Sequence, residues 1–354
     1  MSALGIDFGY YSVKIVQLEK NASGYTLINA GNRRIIDEMD VFDPEIIDKS
    51  HWVAAILDLC KEMKINPKRI KNVVSSISGN FVSIKQITTL EMSNQELISS
   101  LEFEAKKHIP LDGSSAVMDY HIIGSDAKEL DKINVLLVAT TKKLLNQHHE
   151  IIQNVGFKTG VFDTDPVSAL NVYLALNGLT SDGVDVILNL GNNSSTLIVW
   201  GSNQRIFTRE LQTAGHHFTK AIMEAHSISY SEAETMKFEK GVDAVNTNSI
   251  DSESSTSFGL EIAEKTIFAS FGDEIRKTLR YYLKSSANTH FNRFFLTGGS
   301  AVLPGLQAML SEYLNMTVEI LNPCEKIDHK LNIENPTQYT VAVGAAIRGL
   351  EKKV

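Results

Sequence analysis

A chain of 354 residues is long enough for two lobes rather than a single hydrophobic core. Its hydrophobic fraction of 43%, charged fraction of 21% and formal net charge of −8 are those of an ordinary globular protein. They argue against nucleic acid as the main partner, because binding nucleic acid needs a basic face. The two distant cysteines, Cys60 and Cys324, argue against a disulfide framework or a cysteine metal site.

Membrane insertion and secretion are also not expected. No apolar run approaches the roughly 20 residues that span a bilayer. The first predicted strand begins at Ala3, which leaves no room before it for a signal peptide. Together with the cysteine usage, these features predict a protein of the reducing cytoplasm.

The first predicted element is a hairpin at Leu4–Val16, in which two apolar strands flank the turn Asp7-x-Gly9-x-x-Ser12. A turn of this kind presents backbone N–H groups and a hydroxyl to a phosphate. Asp7 is placed to hold a metal, directly or through water, or else to cap the turn. Ser12 and Lys14 are candidate phosphate contacts, although Lys14 equally suits a solvated strand position.

The elements that follow the hairpin are predicted from hydrophobic periodicity and turn residues. In chain order they are a strand at Tyr25–Arg34, an acidic stretch at Asp37–Asp48, a helix with Ser50 as N-cap, and two short strands at Val73–Ile77 and Phe81–Ile87 around the turn Ser78-Gly79-Asn80. A compact insert of ferredoxin-like size comes next. Its predicted parts are a helix opened by the capping box Ser93–Glu96 and ended by Pro110, strands at Met118–Ile123 and Ile133–Ala139, and a helix at about Lys142–Val155.

The chain returns from this insert through Val161–Pro166 into a helix predicted at Val167–Leu176. Asp163 and Asp165 precede the proline, and one of them is a candidate to orient an attacking water. The alternative is a plain helix start, since proline is favoured in the first helical turn. The sequence leaves both interpretations open.

A second hairpin at Val186–Ile198 has the same design as the first, with Asn189-x-Gly191-x-x-Ser194 at its turn. Asn189 stands where the first hairpin has Asp7. An amide carries no charge, so it binds Mg²⁺ more weakly than a carboxylate and cannot act as a general base. Two such hairpins predict duplicated lobes that hold a nucleotide from both sides. Further phosphate donors in the second turn are Asn192, Asn193, Ser194, Ser195 and Thr196.

The rest of the second lobe ends in a glycine turn and a small-residue helix. The predicted elements are a strand near Arg205–Leu211, a helix after Ala214-Gly215, a solvated mobile loop at Asp243–Ser257, a helix at about Leu260–Lys284, a strand at Arg293–Thr297 and a helix at Tyr339–Leu350 suited to a lobe junction. Gly298-Gly299 permits close approach of an adenosine, with Ser300 as helix cap or ligand, although a double glycine also suits a simple turn. The pairs His148-His149 and His216-His217 suit a solvated helix face better than a metal site.

This order of segments resembles the actin-like ATPase superfamily, and within it the PilM family of type IV pilus assembly proteins, relatives of the division protein FtsA. The more specific matches are Leu97–Pro110, Val135–Lys142 and Phe162–Leu170. Ser231–Lys237 is similar to the family's Ala-Glu-x-x-Lys segment. The resemblance implies that Glu234 and Lys237 face the adenosine, and the alternative is a helical ion pair at i,i+3.

The resemblance implies an α/β, actin-like (ribonuclease H-like) fold with two duplicated lobes around an ATP and Mg²⁺ cleft, and an insert of the kind called 1C in FtsA and PilM. The expected boundaries are 1–87, 161–182 and 338–354 for lobe 1 (1A), 88–160 for the insert, and 183–337 for lobe 2 (2A/2B). Asp7 and Asp165 are the candidate catalytic residues, and Asp7 and Asn189 the candidate metal ligands. The candidate cofactor-binding residues are Asp7, Gly9, Tyr10, Tyr11, Ser12, Lys14, Gly191, Asn192, Asn193, Ser194, Thr196, Gly215, Glu234, Lys237, Gly298, Gly299 and Ser300.

The family also implies a partner. The ATP-loaded protein would bind the short cytoplasmic N-terminal segment of the inner-membrane protein PilN, in a groove between 1A and 1C. The chain would then lie at the inner membrane through the PilN–PilO complex. Other pilus motor components and self-association are left open. Because Asn189 replaces the usual second Asp, we expect at most a weak ATPase.

Three rival functions have to be weighed against this one. An FtsA-like polymerising scaffold usually adds a basic amphipathic helix, whereas this chain stops at Leu350–Val354, so membrane binding on its own is not expected. A small-molecule kinase needs a carboxylate base near the acceptor hydroxyl, for which Asp119, Asp163 and Asp165 are weak candidates. A structural relative that has lost its nucleotide is disfavoured by the intact first hairpin and Gly298-Gly299.

Overall fold

The computed structural model describes residues 1–22, 24–36, 42–78, 82–108, 116–126, 128–158, 160–202, 204–246, 266–286 and 289–351. The strands are β1 Ser2–Phe8, β2 Ser12–Asn21, β3 Gly24–Arg34, β4 Val73–Ile77, β5 Ser83–Leu90, β6 Ala116–Ser125, β7 Lys132–Thr141, β8 Val161–Thr164, β9 Val184–Leu190, β10 Ser195–Trp200, β11 Phe207–Leu211, β12 Phe291–Thr297 and β13 Val318–Ile320. The α-helices are α1 Lys49–Glu62, α2 Asn94–His108, α3 Lys142–Val155, α4 Asp165–Asn177, α5 Gly215–His226, α6 Tyr230–Lys240, α7 Ile267–Ser285, α8 Leu306–Leu314 and α9 Thr340–Leu350.

Lobe 1 is built on a sheet with the strand order β3-β2-β1-β4-β8. The first three strands form an antiparallel meander, and β4 and β8 run parallel to β1. Because parallel strands end at the same edge of a sheet, the carboxyl ends of β1, β4 and β8 bring Asp7, Ser76 and Asp165 together. Helices α1 and α3 cover one face, where Ile56, Leu59 and Ile152 join the core of β1 and β2.

Lobe 2 has the same design. Its sheet has the order β11-β10-β9-β12-β13, again with an antiparallel meander followed by parallel strands. Helices α5, α7 and α8 pack on one face around Phe218, Phe271 and Leu306. The two hairpins predicted from the sequence are therefore β1–β2 and β9–β10, at equivalent positions in the two sheets.

The insert is an antiparallel sheet of order β5-β7-β6, with α2 on one face. Its elements differ from the expected boundaries of 88 and 160 at both ends. Strand β5 pairs with β7 along its whole length, so it belongs to the insert sheet and not to lobe 1. Helix α3 buries Ile151, Ile152 and Val155 in the lobe 1 core, because its apolar face meets α1. We propose residues 83–141 as the insert.

The two lobes meet along α4 and α9, whose small residues let the backbones touch. A Cβ on Gly344 would overlap the carbonyl oxygen of Ser168, so only glycine fits this crossing. The hydroxyl of Tyr173 in α4 donates to Asp185 at the start of β9 (2.6 Å), and Arg293 of β12 donates to the same carboxylate (2.7 Å). The prediction of a close-packing small-residue helix at the junction is confirmed.

Several local predictions need correction. Asp48, not Ser50, caps α1, because its carboxylate accepts from the backbone N–H groups of Ser50 and His51. Ser300 caps no helix, since α8 starts at Leu306 with Gly305 as its N-cap. Helix α7 begins at Ile267, with Thr266 as its N-cap, and residues 260–265 of the predicted helix lie outside the described residues. Residues 79–81 of the predicted turn and 247–257 of the predicted loop lie outside the described residues.

The length and apolar character of the described helices determine whether they could cross a bilayer. A membrane-spanning helix needs about 20 predominantly apolar residues. Within the described ranges, every helix is too short or too polar to cross a membrane.

Candidate functional site

The first hairpin places a charged pair at the end of β1. Asp7 lies opposite Lys14 in the strand register, and Lys14 Nζ stands 3.3 Å from Asp7 Oδ2 while donating to the Ser12 carbonyl oxygen (3.1 Å). Both side chains are largely buried, so Lys14 is not a solvated strand residue. The indole Nε1–H of Trp52 in α1 donates to the Gly9 carbonyl oxygen (3.2 Å) and anchors the turn.

Of the two aspartates before Pro166, only Asp165 lies with Asp7. Ser76 at the end of β4 donates its hydroxyl to Asp165. Burial raises the pKa of Asp165 to about 7, the negative charge of Asp7 contributes to this rise, and Ser76 and Lys14 oppose it. Asp165 therefore stands at the same strand edge as the hairpin, and it also opens α4, as the helix-start interpretation predicts. Its role in orienting an attacking water stays a prediction.

Asp163 occupies a different environment. Its carboxylate accepts from the Ser168 hydroxyl (3.3 Å) and the Asn171 amide (3.4 Å), both in α4. Burial raises the pKa of Asp163 to about 6, and the charge of Arg348 opposes the rise. Its carboxylate therefore binds the helices of the junction, and it is not a candidate to orient water.

The second hairpin packs directly on the glycine turn. Asn189 ends β9 opposite Thr196, and a Cβ on Gly298 would lie 2.7 Å from Asn189 Oδ1. Gly298 also has a φ of +97°, a conformation that favours glycine. The backbone N–H of Ser300 donates to the Leu190 carbonyl oxygen (3.1 Å). The positive φ and the close contacts of Gly298 thus require a glycine at this position, beside the end of β9.

The start of α5 joins this cluster. Gly215 N–H donates to the Gly191 carbonyl oxygen and His216 N–H to that of Asn192, both at 2.9 Å. Ser300 Oγ lies against Gly215, 2.5 Å from where a Cβ would stand. The structure therefore brings together four predicted segments: the second hairpin, the start of α5, the glycine turn and Ser300. The side chains of Asn193 and Ser194 make no hydrogen bond to any described residue, so their polar groups are available to a ligand.

Glu234 and Lys237 form the buried ion pair that the sequence left as an alternative. Lys237 Nζ donates to Glu234 Oε2 (2.6 Å), Thr219 Oγ1 (2.9 Å) and the Gly215 carbonyl oxygen (3.3 Å). Burial lowers the pKa of Lys237, and the Glu234 charge opposes that change. Because Lys237 is fully buried, it positions Glu234 and the start of α5 rather than reaching solvent.

Two tyrosines of the first turn extend towards acidic groups of lobe 2. Burial raises the pKa of Tyr10, and the charges of Glu210 and Asp165 raise it further. Burial also raises the pKa of Tyr11, with a further rise from Glu234. Tyr10 and Tyr11 therefore lie within the electrostatic reach of Glu210 and Glu234 of the opposite lobe.

The histidine pairs are not on solvated helix faces as predicted. His148 packs edge-on against Phe8 (ring centroids 5.0 Å apart), because α3 covers the lobe 1 sheet. The Nδ1 atom of His216 lies 2.8 Å from the Asn192 carbonyl oxygen, and its ring contacts Phe42. Of the four histidines in these two pairs, only His149 is exposed. Across the described ranges, no cluster of three or more His, Cys, Asp or Glu side chains could hold a metal ion.

Sequence reasoning missed three residues of this region: Ser76, Thr219 and Glu210. Each lies in a segment that the sequence marks only as strand or helix, and each reaches the site through pairing with a distant strand or helix. A pattern within one segment carries no such information. Strand register would have identified Glu210, since it lies opposite Thr196 of the second hairpin.

Comparison with known proteins gives the chain its relatives. A family model described as type IV pilus assembly protein PilM matches residues 5–350. Cell division protein FtsA of Bacillus subtilis (strain 168) is 21% identical over 378 residues, which cover 96% of this chain and 82% of FtsA.

Solved structures show the fold. A structure described as the PilM-PilN type IV pilus biogenesis complex matches with a TM-score of 0.80 and 22% identity over 99% of both chains. Ethanolamine utilization protein EutJ from Carboxydothermus hydrogenoformans matches with a TM-score of 0.56 and 11% identity, over 98% of this chain and 89% of EutJ. The predicted actin-like, two-lobed α/β fold is confirmed. Because the family model covers nearly the whole sequence, the chain belongs to the PilM family of type IV pilus assembly proteins.

Proposed function

We propose that this chain is an ATP-binding adaptor of type IV pilus assembly. One observation carries the proposal: two hairpins of the same design occupy equivalent positions in the two sheets, one with Asp7 and Lys14 and the other with the start of α5 and the glycine turn packed on it. A cavity lined by Asp165 of lobe 1 and Thr196 of the second hairpin lies between the lobes. The first hairpin supplies charge and backbone donors for the phosphates. The second supplies uncharged donors, and Gly299, with no described heavy atom closer than 4.0 Å to its Cβ position, leaves room for the adenosine.

Two carboxylates at this edge of the lobe 1 sheet also fit Mg²⁺. Asp7 and Asp165 are hard oxygen donors, and the charge of Asp7 helps to raise the pKa of Asp165, a repulsion that a divalent cation relieves. Asp7 would hold the ion, directly or through water, with the amide oxygen of Asn189 as a weaker ligand from the other lobe. When bound, Mg²⁺ supplies charge neutralisation of the phosphates.

Turnover in this proposal is slow or absent. An efficient hydrolase places carboxylates on both sides of the transferred phosphoryl group, and Asn189 carries no charge. The chain then uses ATP chiefly as a ligand that fixes the angle between its lobes. Its output is the capture of a partner.

The proposed partner is the cytoplasmic N-terminal segment of a PilN-type inner-membrane protein. The likeness to a PilM-PilN complex supports the partner class. We place its groove between lobe 1 and the insert, where an extended segment can dock. Gln86 of β5 accepts from the Ile206 N–H of lobe 2 (2.9 Å), so the insert contacts both lobes and responds to their angle. Such capture would bring the chain to the inner membrane, where other pilus motor components could join it.

The test is calorimetry of ATP binding with and without Mg²⁺, followed by anisotropy of a labelled PilN-type peptide. We expect micromolar ATP binding in wild-type protein, loss of at least tenfold in Asp7→Ala, and no change in the exposed control Asp131→Ala. We expect peptide capture only with ATP present. Absence of ATP binding would make the hairpins a relic and leave the protein a nucleotide-free scaffold.

A second candidate, an FtsA-like polymerising scaffold, is favoured by the similarity to FtsA over 96% of the chain. It predicts ATP-dependent pelleting of the protein alone and sedimentation with protein-free liposomes. The adaptor predicts neither result without a PilN-type partner. Sedimentation with and without liposomes therefore separates the two functions.

A further inference from the structure

Glu210 lies in a row of side chains that begins at the second hairpin. In the strand register Thr196 stands opposite Asn189, and Glu210 stands opposite Thr196. Directly opposite residues of an antiparallel pair share one face of the sheet, with Cβ atoms roughly 5 Å apart. Asn189, Thr196 and Glu210 therefore form one row across lobe 2. The carboxylate that is missing at Asn189 has a counterpart two strands away.

This row faces lobe 1 across a cavity. The cavity has a volume of about 140 Å³, and its walls include Thr196 and Glu210 of lobe 2, Asp165 of lobe 1 and Lys85 of the insert. Tyr10 of the first hairpin is close enough for the charges of both Glu210 and Asp165 to raise its pKa. Glu210 and Asp165 thus line one space between the lobes, and Tyr10 of the turn that we assign to the phosphates lies within electrostatic reach of both.

Glu210 has no partner among the described residues. It makes no hydrogen bond and no ion pair there, although Arg209 and Lys85 also line the cavity. It is half-buried, and burial raises its pKa. A partly desolvated carboxylate without a donor lowers stability, so a fold gains nothing from it structurally. Asp165 differs, since it accepts from Ser76 and lies beside Asp7.

We propose that Glu210 is the general base of a slow ATP hydrolysis in this cleft, an assignment that rests on the proposed ATP binding. A water molecule on the lobe 2 side attacks the γ-phosphorus. The new bond joins the water oxygen to phosphorus, and the bond between phosphorus and the β,γ-bridging oxygen breaks. ADP leaves with that electron pair, and Glu210 accepts the proton of the attacking water and releases it to solvent. Thr196, between Asn189 and Glu210, offers a hydroxyl to the same water.

The experiment is single-turnover release of labelled phosphate from γ-labelled ATP, with excess protein and Mg²⁺, beside calorimetric ATP affinity. Glu210→Gln is compared with Glu210→Asp and with the exposed control Glu224→Gln, and Asp7→Ala sets the background. We expect Glu210→Gln to keep its ATP affinity within about twofold while phosphate release falls about 100-fold or to background. Glu210→Asp should retain measurable release, and Glu224→Gln should match the wild type.

Folding is checked by thermal unfolding without nucleotide. Because the variant removes an unpartnered charge, Glu210→Gln should unfold at the same temperature as the wild type or higher. Unchanged phosphate release in Glu210→Gln would overturn the assignment. So would a wild-type protein that binds ATP but releases no phosphate, a result that leaves the adaptor intact. A wild-type protein that binds no ATP would overturn both.

Discussion

The two hairpins share one backbone design and differ in where their charges lie. In lobe 1 the pair Asp7–Lys14 belongs to the hairpin itself, and both side chains retain some exposure, 11% and 14%. In lobe 2 the turn of the hairpin carries no charged residue, and the pair Glu234–Lys237 lies in α6 against the start of α5, with side-chain exposures of 11% and 1%. In lobe 1 the charged pair thus belongs to the turn proposed to bind phosphate, whereas in lobe 2 the charged pair holds two helices together.

The largest effect is expected from a substitution that breaks the ion pair between Glu234 and Lys237 in lobe 2. Lys237→Met leaves Glu234 as an uncompensated buried charge, and we expect a loss of about 3–5 kcal/mol in the free energy of unfolding. Urea unfolding measures it, with the exposed Lys240→Met of the same helix as control. The double variant Lys237→Met/Glu234→Gln should recover part of the loss. Equal stability of Lys237→Met and wild type would show that the pair does not hold the scaffold.

A second prediction concerns Asp165 of lobe 1 and the dependence of stability on pH that it causes. The pKa of Asp165 is about 7 in the folded chain against an ordinary value of 3.8, so the folded state binds this proton more tightly than the unfolded state. The resulting stability is fully present below about pH 4 and is lost as the pH rises through 7. Asp165→Asn should therefore be more stable than wild type at pH 8, on the order of 2–4 kcal/mol, and similar near pH 4.

Thermal unfolding across this pH range measures the difference. The exposed substitution Asp131→Asn is the matched control and should follow the wild-type curve. A stability difference between Asp165→Asn and wild type that does not change with pH would contradict the assigned titration.

A third change makes the two hairpins alike. Asn189→Asp gives lobe 2 the carboxylate that lobe 1 already has, so ATP should bind more weakly without Mg²⁺ and more tightly with it. We expect the ratio of the two affinities to rise roughly tenfold, about 1.4 kcal/mol. Calorimetry with and without Mg²⁺ gives the ratio, and the exposed Asn246→Asp should leave it unchanged. An unaltered ratio would place the metal away from Asn189.

The smallest effect concerns how each turn is held. The first turn is anchored by a side chain, Trp52 Nε1–H on the Gly9 carbonyl oxygen, whereas backbone N–H groups of α5 hold the second. Trp52→Phe keeps an aromatic ring and loses the donor, so we expect about 1 kcal/mol less stability and a few-fold weaker ATP binding. Chemical unfolding and calorimetry test this. A change in stability without a change in affinity would show that the anchor does not order the phosphate turn.

Much of the fold could be predicted from local sequence. The hairpins, the capping box at Ser93 and the helix α3 at Lys142–Val155 follow from patterns within one segment, and the structure confirms them. The insert boundaries could not be predicted in this way. The sequence of β5 resembles that of any short strand, and only its pairing with β7 assigns it to the insert sheet.

The residues of the candidate site likewise divide into those that local sequence predicts and those that depend on contacts between distant segments. Asp7 and Gly298 were predicted because turn chemistry is local. The choice between Asp163, inside β8, and Asp165, directly after it, depends on which groups surround each carboxylate, and the sequence left both open. Glu210 was missed because its place in the row with Thr196 is a property of strand register, which no single segment contains.

The crossing of α4 and α9 has a consequence for how the cleft can open. Where Gly344 meets the Ser168 carbonyl there is no side chain to compress or to change rotamer, and tightly packed interiors yield very little. The crossing therefore acts as a rigid pivot that does not compress. Motion of the lobes about this pivot is a rotation, so the displacement of a residue grows with its distance from the pivot. The hydrogen bond from the Ile206 N–H of lobe 2 to Gln86 of the insert links two parts that such a rotation would move relative to each other.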